Sequence, residues 1–253
     1  MEEHSTEIAE KPDLLASADL DALNSAAPEA LLEWAHQYGK RAAIVTSFQK
    51  SGCIMIDMAH RAGLTLRIVT VDTLRLHRET YELMDRIEQR YGISIERFTP
   101  DPERLRQMLA QHGEFLFFDS RPKQEHCCWI RKVEPNNRAL QTLDLWITGL
   151  RRDQSPHRIA ASKAALVQRE NRPLLKLAPL ADWTEEQVSA YIAAHDVPIS
   201  PLYDQGYTSI GCMICTTPIK PGEDKRAGRW RWFNQYEDDH KKECGIHIDG
   251  SGI

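Results

Sequence analysis

Long hydrophobic runs are missing from this sequence. Nowhere do about eighteen apolar residues follow one another without interruption, the length that a membrane-crossing helix needs. The opening Met1-Glu2-Glu3-His4 is acidic and has no apolar stretch behind it, so no signal peptide is read and a cytoplasmic location is expected. Cysteine is scarce: six in 253 residues is too few for a disulfide scaffold. Positive charge is not in excess either, since 32 Lys and Arg face 37 Asp and Glu for a net charge of -5, which argues against a general nucleic-acid binder. Internal repeats and low-complexity segments are absent. With 42% hydrophobic and 27% charged residues, disorder is not indicated. The length suits one large domain, or one domain with a small appendage.

What is present is a pattern within those few cysteines. Four fall in two tight pairs, Cys127-Cys128 and Cys212-Met213-Ile214-Cys215, while Cys244 lies near the end and Cys53 stands alone near the front. Adjacent cysteines cannot bridge each other without strain. In a cytosolic chain, paired cysteines point to metal or redox chemistry. The two pairs together supply four thiolates, which suit tetrahedral zinc or a [4Fe-4S] cube. Neighbouring thiolates are awkward on a single ion, whereas a cube offers them separate iron corners. Iron-sulfur is therefore the first expectation, and zinc or a redox dithiol stays open. Lys132 falls one helical turn after Cys128 if that stretch is helical, between an anionic cluster and an anionic substrate. Cys244 has Lys242 and His247 close by in sequence, and positive charge favours a thiolate, so it is a candidate nucleophile as well as a candidate spare thiol. Cys53 opens an apolar helix and reads as a core thiol.

The hydrophobic pattern alternates between strand and helix. Residues 42 to 47 read as a buried strand, followed by a polar turn and a helix from Ile54 that closes at Gly63. Residues 66 to 71 form a second strand ending in Asp72-Thr73, and 76 to 90 a charged amphipathic helix closed by Gly92. A short strand at 94 to 98 precedes a helix opened by Pro102, and 144 to 148 is a further strand. Asp182, with Glu185 at the third helical position, is the expected N-cap of a helix reaching about His195. This order predicts an α/β fold, a mostly parallel twisted sheet with helices on both faces, whose ligands lie beyond the carboxyl ends of the strands. Three segments are expected: a loose lead over 1–17, an α/β domain over 18–215, and a flexible tail over 216–253 that adds nothing to the core.

Three strand ends carry candidate binding turns. Ser47-Phe48-Gln49-Lys50-Ser51-Gly52 joins a strand to a helix, and small hydroxyls with a glycine at a helix start suit phosphate, although a capped polar turn is the plainer reading. It is not a Walker A loop. The second turn is Asp72-Thr73, and the third runs from Gly149 through Arg151 and Arg152 to Ser155. Between 121 and 158 basic residues outnumber acidic ones, and arginines after a strand end, Arg158 included, clamp phosphate or sulfate in bidentate fashion. Arg226 and Arg229 lie in a stretch that suits a lid.

Together these motifs resemble the thioredoxin-dependent assimilatory adenylyl-sulfate reductases, within the wider phosphoadenylyl-sulfate reductase family. The resemblance rests on Ser47 to Gly52, Val71-Asp72-Thr73, Cys127-Cys128 with Arg131-Lys132, Thr148-Gly149 with Arg151-Arg152 and Gln154-Ser155, Cys212 with Cys215, Arg226 with Gly228-Arg229-Trp230, and Lys242 to His247. It implies an adenine-nucleotide alpha-hydrolase-like fold whose pyrophosphatase-like loop, here Ser47 to Gly52, holds nucleotide without cleaving ATP. It implies a [4Fe-4S] cluster on Cys127, Cys128, Cys212 and Cys215, and adenylyl sulfate as substrate, since members specific for the 3'-phosphorylated nucleotide lack both cysteine pairs. Catalysis falls to Cys244, whose thiolate attacks the sulfate sulfur and leaves an S-sulfocysteine. Substrate contacts fall to Ser47, Gln49, Ser51, Gly52, Asp72, Thr73, Lys132, Gly149, Arg151, Arg152, Arg158, Arg226, Arg229 and His247. Thioredoxin, or a glutaredoxin-like reductant, then releases sulfite, and a homo-oligomer is compatible with the family. The rival readings are a phosphoadenylyl-sulfate or dual-substrate reductase, an ATP-pyrophosphatase of the same superfamily, and a zinc-stabilised nucleic-acid module.

Overall fold

The computed structural model describes residues 18–154 and 158–234. Among them, six strands form one sheet in the order β3-β2-β1-β4-β6-β5. The strands are β1 (Ala42–Val45), β2 (Arg67–Val71), β3 (Ile95–Phe98), β4 (Leu145–Thr148), β5 (Ala164–Arg169) and β6 (Arg172–Leu177). Every pairing is parallel except β5 with β6.

Side chains alternate across a strand, so each strand feeds two layers. On one face, Ala42 and Ile44 of β1 join Ile68, Leu145, Ile147, Leu175 and Leu177. That face is covered by α1 (Leu20–Ser25), α2 (Pro28–His36), α3 (Lys50–Arg61), α4 (Arg78–Tyr91) and α8 (Glu185–His195), through residues such as Leu31, Ile54, Leu83 and Val188. On the other face, Ala43 joins Val69, Trp146 and Leu174 beneath α5 (Pro102–His112), α6 (Arg121–Cys128) and α7 (Glu134–Gln141). A sheet buried on both sides accounts for strands that read as continuous apolar runs.

The strand order places the site. From β1 the chain steps outward to β2 and β3, then returns past β1 to β4 on its other side. The loops leaving β1 and β4 therefore diverge, and a crevice opens at their carboxyl ends, where such sheets hold ligands. Here the loop after β1 and Gly149 pack almost backbone to backbone. A Cβ on Gly52 would stand 1.9 Å from Thr46 Oγ1, and one on Gly149 would stand 3.0 Å from Ser51 Cβ and 3.2 Å from the Gly52 nitrogen. Alanine at 52 would collide with Thr46, and at 149 it would press Ser51 and Gly52 back by a few tenths of an ångström.

Several expectations change in detail. Helix α3 starts at Lys50, not at Ile54, so Lys50, Ser51 and Gly52 form its first turn and not a free loop. Thr184, not Asp182, caps α8: its hydroxyl accepts from Gln187 N, and the Gln187 side chain accepts from Thr184 N. Asp182 is drawn away by ion pairs with Arg152 and Lys163. The β5–β6 hairpin lies in a stretch whose pattern predicts no element. Its two-residue turn uses Glu170 and Asn171 with φ of 47° and 62°, and Glu is a weak signal for a turn that usually favours Asn-Gly. The tail expected to add nothing to the core does add to it as far as the structure describes it. Trp230 is buried with Phe117, Cys127 and Cys215, and Thr216 bridges to Arg229. Residues 1–17 and 235–253, the lead and the rest of the tail, lie outside the described residues, as do 155–157.

Thr184→Ala removes the bond from Gln187 N to the threonine hydroxyl and leaves the backbone N–H of residue 184 to the Gln187 side chain. Urea unfolding of that variant is expected to show a loss of about 1 kcal/mol. An unchanged midpoint would mean that the cap contributes nothing.

Candidate active site

Two cavities open at the carboxyl end of β1, one on the side of β4 and the other on the side of β2, and Ser47 lines both. The first, about 320 Å³, is walled by the start of α3, the loop after β4 and the segment 203–209. Of the expected substrate residues, Ser47, Gln49, Ser51, Gly52, Gly149, Arg151, Arg158 and Arg226 line it. Lys50, Gln154, Glu185, Tyr203 and Lys225 line it too, though the sequence did not single them out as site residues.

Polar bonds stitch this cavity together. Arg151 is 3% exposed. Its Nε and Nη2 donate to the Asp153 carboxylate at 2.9 and 3.1 Å, its Nη1 donates to Ser51 Oγ at 3.3 Å, and its Nη2 also reaches Glu185 Oε2 at 2.6 Å. Glu185 takes Lys50 Nζ on its other oxygen at 2.5 Å. Burial alone would raise the pKa of Glu185, but hydrogen bonds from Lys50 and Arg151 outweigh it and hold the carboxyl below the ordinary range. Burial likewise works against the Arg151 charge, and its bonds to Asp153 and Glu185 more than restore it. Tyr203 closes the floor: its hydroxyl accepts from Lys50 N at 3.2 Å, and Lys50 Nζ sits 4.8 Å from its ring centre. Gln49 Oε1 accepts from Ile210 N at 3.3 Å, which ties the loop after β1 to the segment carrying the second cysteine pair.

The second cavity is lined by all four paired cysteines. Cys127 and Cys128 end α6, which runs into a π-helical turn over Trp129–Val133 before α7. Such turns widen a helix and recur at functional sites. Cys212 and Cys215 flank a tight 3-10 turn. Cys212 Sγ donates to Thr73 Oγ1 at 3.3 Å, and Gln124 Nε2 donates to Cys128 Sγ at 3.0 Å. Burial raises the Cys127 thiol, opposed chiefly by the Arg131 charge, and pushes Cys215 up to about 12.

Cations surround these thiols. Arg75, Arg131, Lys132 and Arg229 line the same cavity. Gly211 makes room for one of them, since a Cβ there would stand 2.5 Å from the Arg229 guanidinium. Arg131 donates to Thr73 O at 3.0 Å. Among the described residues, Arg75 Nη1, Arg131 Nε and Trp230 Nε1 are buried with no hydrogen-bond partner. Buried donors left unsatisfied are costly and call for an acceptor. Four thiols with donors and positive charge around them fit an anionic metal-sulfur cluster. Among the described residues no three Cys, His, Asp or Glu side chains stand close enough together to hold one metal ion.

The remaining expected residues lie elsewhere. Asp72 is buried and accepts from Leu74 N at 2.8 Å and from the Tyr81 hydroxyl at 2.7 Å, which fixes the turn after β2. Thr73, Lys132 and Arg229 belong to the cysteine cavity. Arg152 donates to Ala161 O at 2.7 Å and pairs with Asp182, outside both cavities. Cys53 is buried inside α3, where burial raises its thiol to about 12. Cys244 and His247 lie outside the described residues. Of the residues the sequence did not single out, Lys50 and Gln154 sat inside motifs already noted, whereas Glu185 was taken for a capping residue.

Known proteins match this arrangement. A family model described as the phosphoadenosine phosphosulfate reductase domain matches residues 41–218. A Burkholderia cepacia protein named adenosine 5'-phosphosulfate reductase is 47% identical over 186 residues, which cover 74% of this chain and 72% of that one. Its namesake from Agrobacterium fabrum is 41% identical over 213 residues, covering 84% and 80%. The crystal structure of phosphoadenylyl-sulfate reductase from Candida auris, in a phosphate complex, superposes with a TM-score of 0.65 at 26% identity, covering 78% of this chain and 96% of that one. With the matched span taking in β1, β4, both cysteine pairs and the crevice between them, this chain belongs to the phosphoadenosine phosphosulfate reductase family.

Proposed function

We propose that this chain reduces adenylyl sulfate to sulfite and AMP, with a thioredoxin or glutaredoxin-like dithiol as reductant. The observation that carries the reading is the junction at Ser47 of a cation-walled crevice and a cavity holding four cysteines. Relatives named for adenosine 5'-phosphosulfate support the choice of nucleotide. The crevice holds the nucleotide on the start of α3, with Ser47, Gln49, Ser51, Gly52 and Gly149 close enough in backbone to approach a phosphate.

The Cys244 thiolate attacks the sulfate sulfur. The bond from that sulfur to the bridging phosphate oxygen breaks, and AMP leaves with the electron pair. An S-sulfocysteine remains. A thiolate of the reductant then attacks Cys244 Sγ, sulfite departs with the bonding pair, and the second thiol of the reductant resolves the mixed disulfide. Sulfur gains two electrons and the dithiol becomes a disulfide. Charge grows on the leaving phosphate, and Lys132, Arg151, Arg158, Arg226 and Arg229 stabilise it, with His247 from the same tail as the nucleophile.

Cys127, Cys128, Cys212 and Cys215 would hold a [4Fe-4S] cluster, which when bound supplies a fixed anionic centre and a structural anchor with no net electron transfer. Around it Arg75, Arg131 and Trp230 offer the donors that otherwise lack acceptors. Free thiols and a dithiol reductant suit a reducing compartment, so the cytoplasm is the proposed location. Among the described residues no helix is long and apolar enough to cross a membrane.

The test is sulfite release from adenylyl sulfate with reduced thioredoxin, using anaerobically purified protein. Wild type is expected to turn over, while Cys244→Ser loses at least about a thousandfold of the rate and keeps the brown colour of the cluster. Release only from the 3'-phosphorylated nucleotide would overturn the substrate assignment. Full activity in Cys244→Ser would overturn the nucleophile.

A further inference from the structure

Glu185 has no role in the chemistry above, yet it sits at its centre. It is the first residue of α8, a helix that otherwise packs against the sheet through Val188. Its two carboxylate oxygens take different partners. One binds Lys50 Nζ, from the first turn of α3 after β1; the other binds Arg151 Nη2, from the loop after β4. One side chain thus ties together the two loops that diverge at the switch in strand order.

We propose that Glu185 is a positioning residue, a carboxylate hub that holds the Lys50 ammonium and the Arg151 guanidinium in the arrangement that receives the anionic nucleotide. The proposal rests on the adenylyl-sulfate reading of the same crevice. Three observations support it. Lys50 and Arg151 both line the crevice, as Glu185 itself does. Arg151 is nearly spent in internal bonds, with Asp153 on one edge, Ser51 on Nη1 and Glu185 on Nη2, so its orientation is set before any ligand arrives. Lys50 is different: among the described residues its long, flexible stem is held by the Glu185 ion pair and by the Tyr203 ring. Without the carboxylate the ammonium is released to many rotamers, and the nucleotide must order it on binding, a cost that preorganisation avoids. Two cations held close together repel, and the shared carboxylate between them offsets that repulsion.

The hub predicts a particular kinetic pattern. Glu185→Gln keeps the shape and removes the charge. It is expected to raise KM for adenylyl sulfate about tenfold, the scale of one hydrogen bond to a charged group, and to lower kcat by less than that, because Lys50 acts on binding while Arg151, which also faces the leaving phosphate, keeps its bonds to Asp153 and Ser51. Lys50→Met is expected to raise KM similarly. The double variant is expected to be no worse than either single one, because the two changes remove the same interaction. Thr184→Ala serves as the control: it weakens the start of α8 without touching the hub, and its KM is expected to match wild type.

Steady-state kinetics on these four variants and wild type, with AMP affinity by equilibrium dialysis, decide the matter. If KM and the AMP dissociation constant rise together in Glu185→Gln, and the double variant shows no further loss, the hub stands. If Glu185→Gln binds nucleotide as well as wild type or more tightly, or if the Lys50 and Glu185 effects simply add, the proposal fails. If Thr184→Ala raises KM as much as Glu185→Gln, the effect belongs to helix stability and the proposal again fails. AMP binding separates this outcome from failure of the underlying reading: a wild-type chain that binds AMP but releases no sulfite contradicts the reaction, not the hub.

Discussion

The close approach of two loops at the carboxyl ends of β1 and β4 is the constraint on which the rest of the site depends. A Cβ on Gly52 would collide with Thr46, and one on Gly149 would press tightly on Ser51 and the Gly52 nitrogen. This contact brings the first turn of α3 against the loop that carries Arg151. It also leaves Ser47 at the boundary of two cavities, one rich in polar groups and one holding the four cysteines. Packing density in the backbone therefore comes first, and the electrostatics of the site are built on it.

The electrostatics differ on the two sides of Ser47. In the polar crevice opposite charges meet: Arg151 has Asp153 and Glu185, and Lys50 has Glu185. In the cysteine cavity Arg131 is buried among groups that, as neutral thiols, return little to it. Burial raises Cys127 and Cys215, so in the absence of a metal they stay protonated, and donors on Arg75, Arg131 and Trp230 lack acceptors. Metal binding deprotonates thiols, and the proposed cluster would turn the same four side chains into the negative charge that these donors need. The π-helical turn after Cys128 belongs to this logic, because it lets Arg131 face the thiols one turn on from the cysteine pair.

Much of this was legible in the sequence. Buried runs alternating with helical periods gave the parallel sheet and the helices on both faces, and the polar turns after β1 and β4 marked the crevice. The four cysteines announced that two distant segments meet. What could not be read was long-range partnership. Glu185 looked like a cap because Asp182 stood three residues ahead, but Asp182 is taken by Arg152 and Lys163, from other segments of the chain. Arg152 looked equivalent to Arg151, its neighbour, yet only Arg151 turns into the crevice. Trp230 lay in a stretch rich in glycine and charge, and only its contact with the cysteine segments makes it part of the core. The β5–β6 hairpin went unnoticed because its turn lacks glycine and because Pro173 interrupts a strand pattern. Pro173 is tolerated since β6 meets β4 only from Leu175 onward.

The proposed function needs the polar crevice and the cysteine cavity to work as one site joined at Ser47. The most direct measurement is the Mössbauer spectrum of anaerobic 57Fe-enriched protein, with iron and sulfide assayed in the same sample, before and after addition of adenylyl sulfate to Cys244→Ser. The expected result is about four irons and four sulfides per chain, and a spectrum that shifts when the nucleotide binds. A chain that binds nucleotide but holds no iron, or a cluster whose spectrum ignores a saturating nucleotide, would contradict the claim.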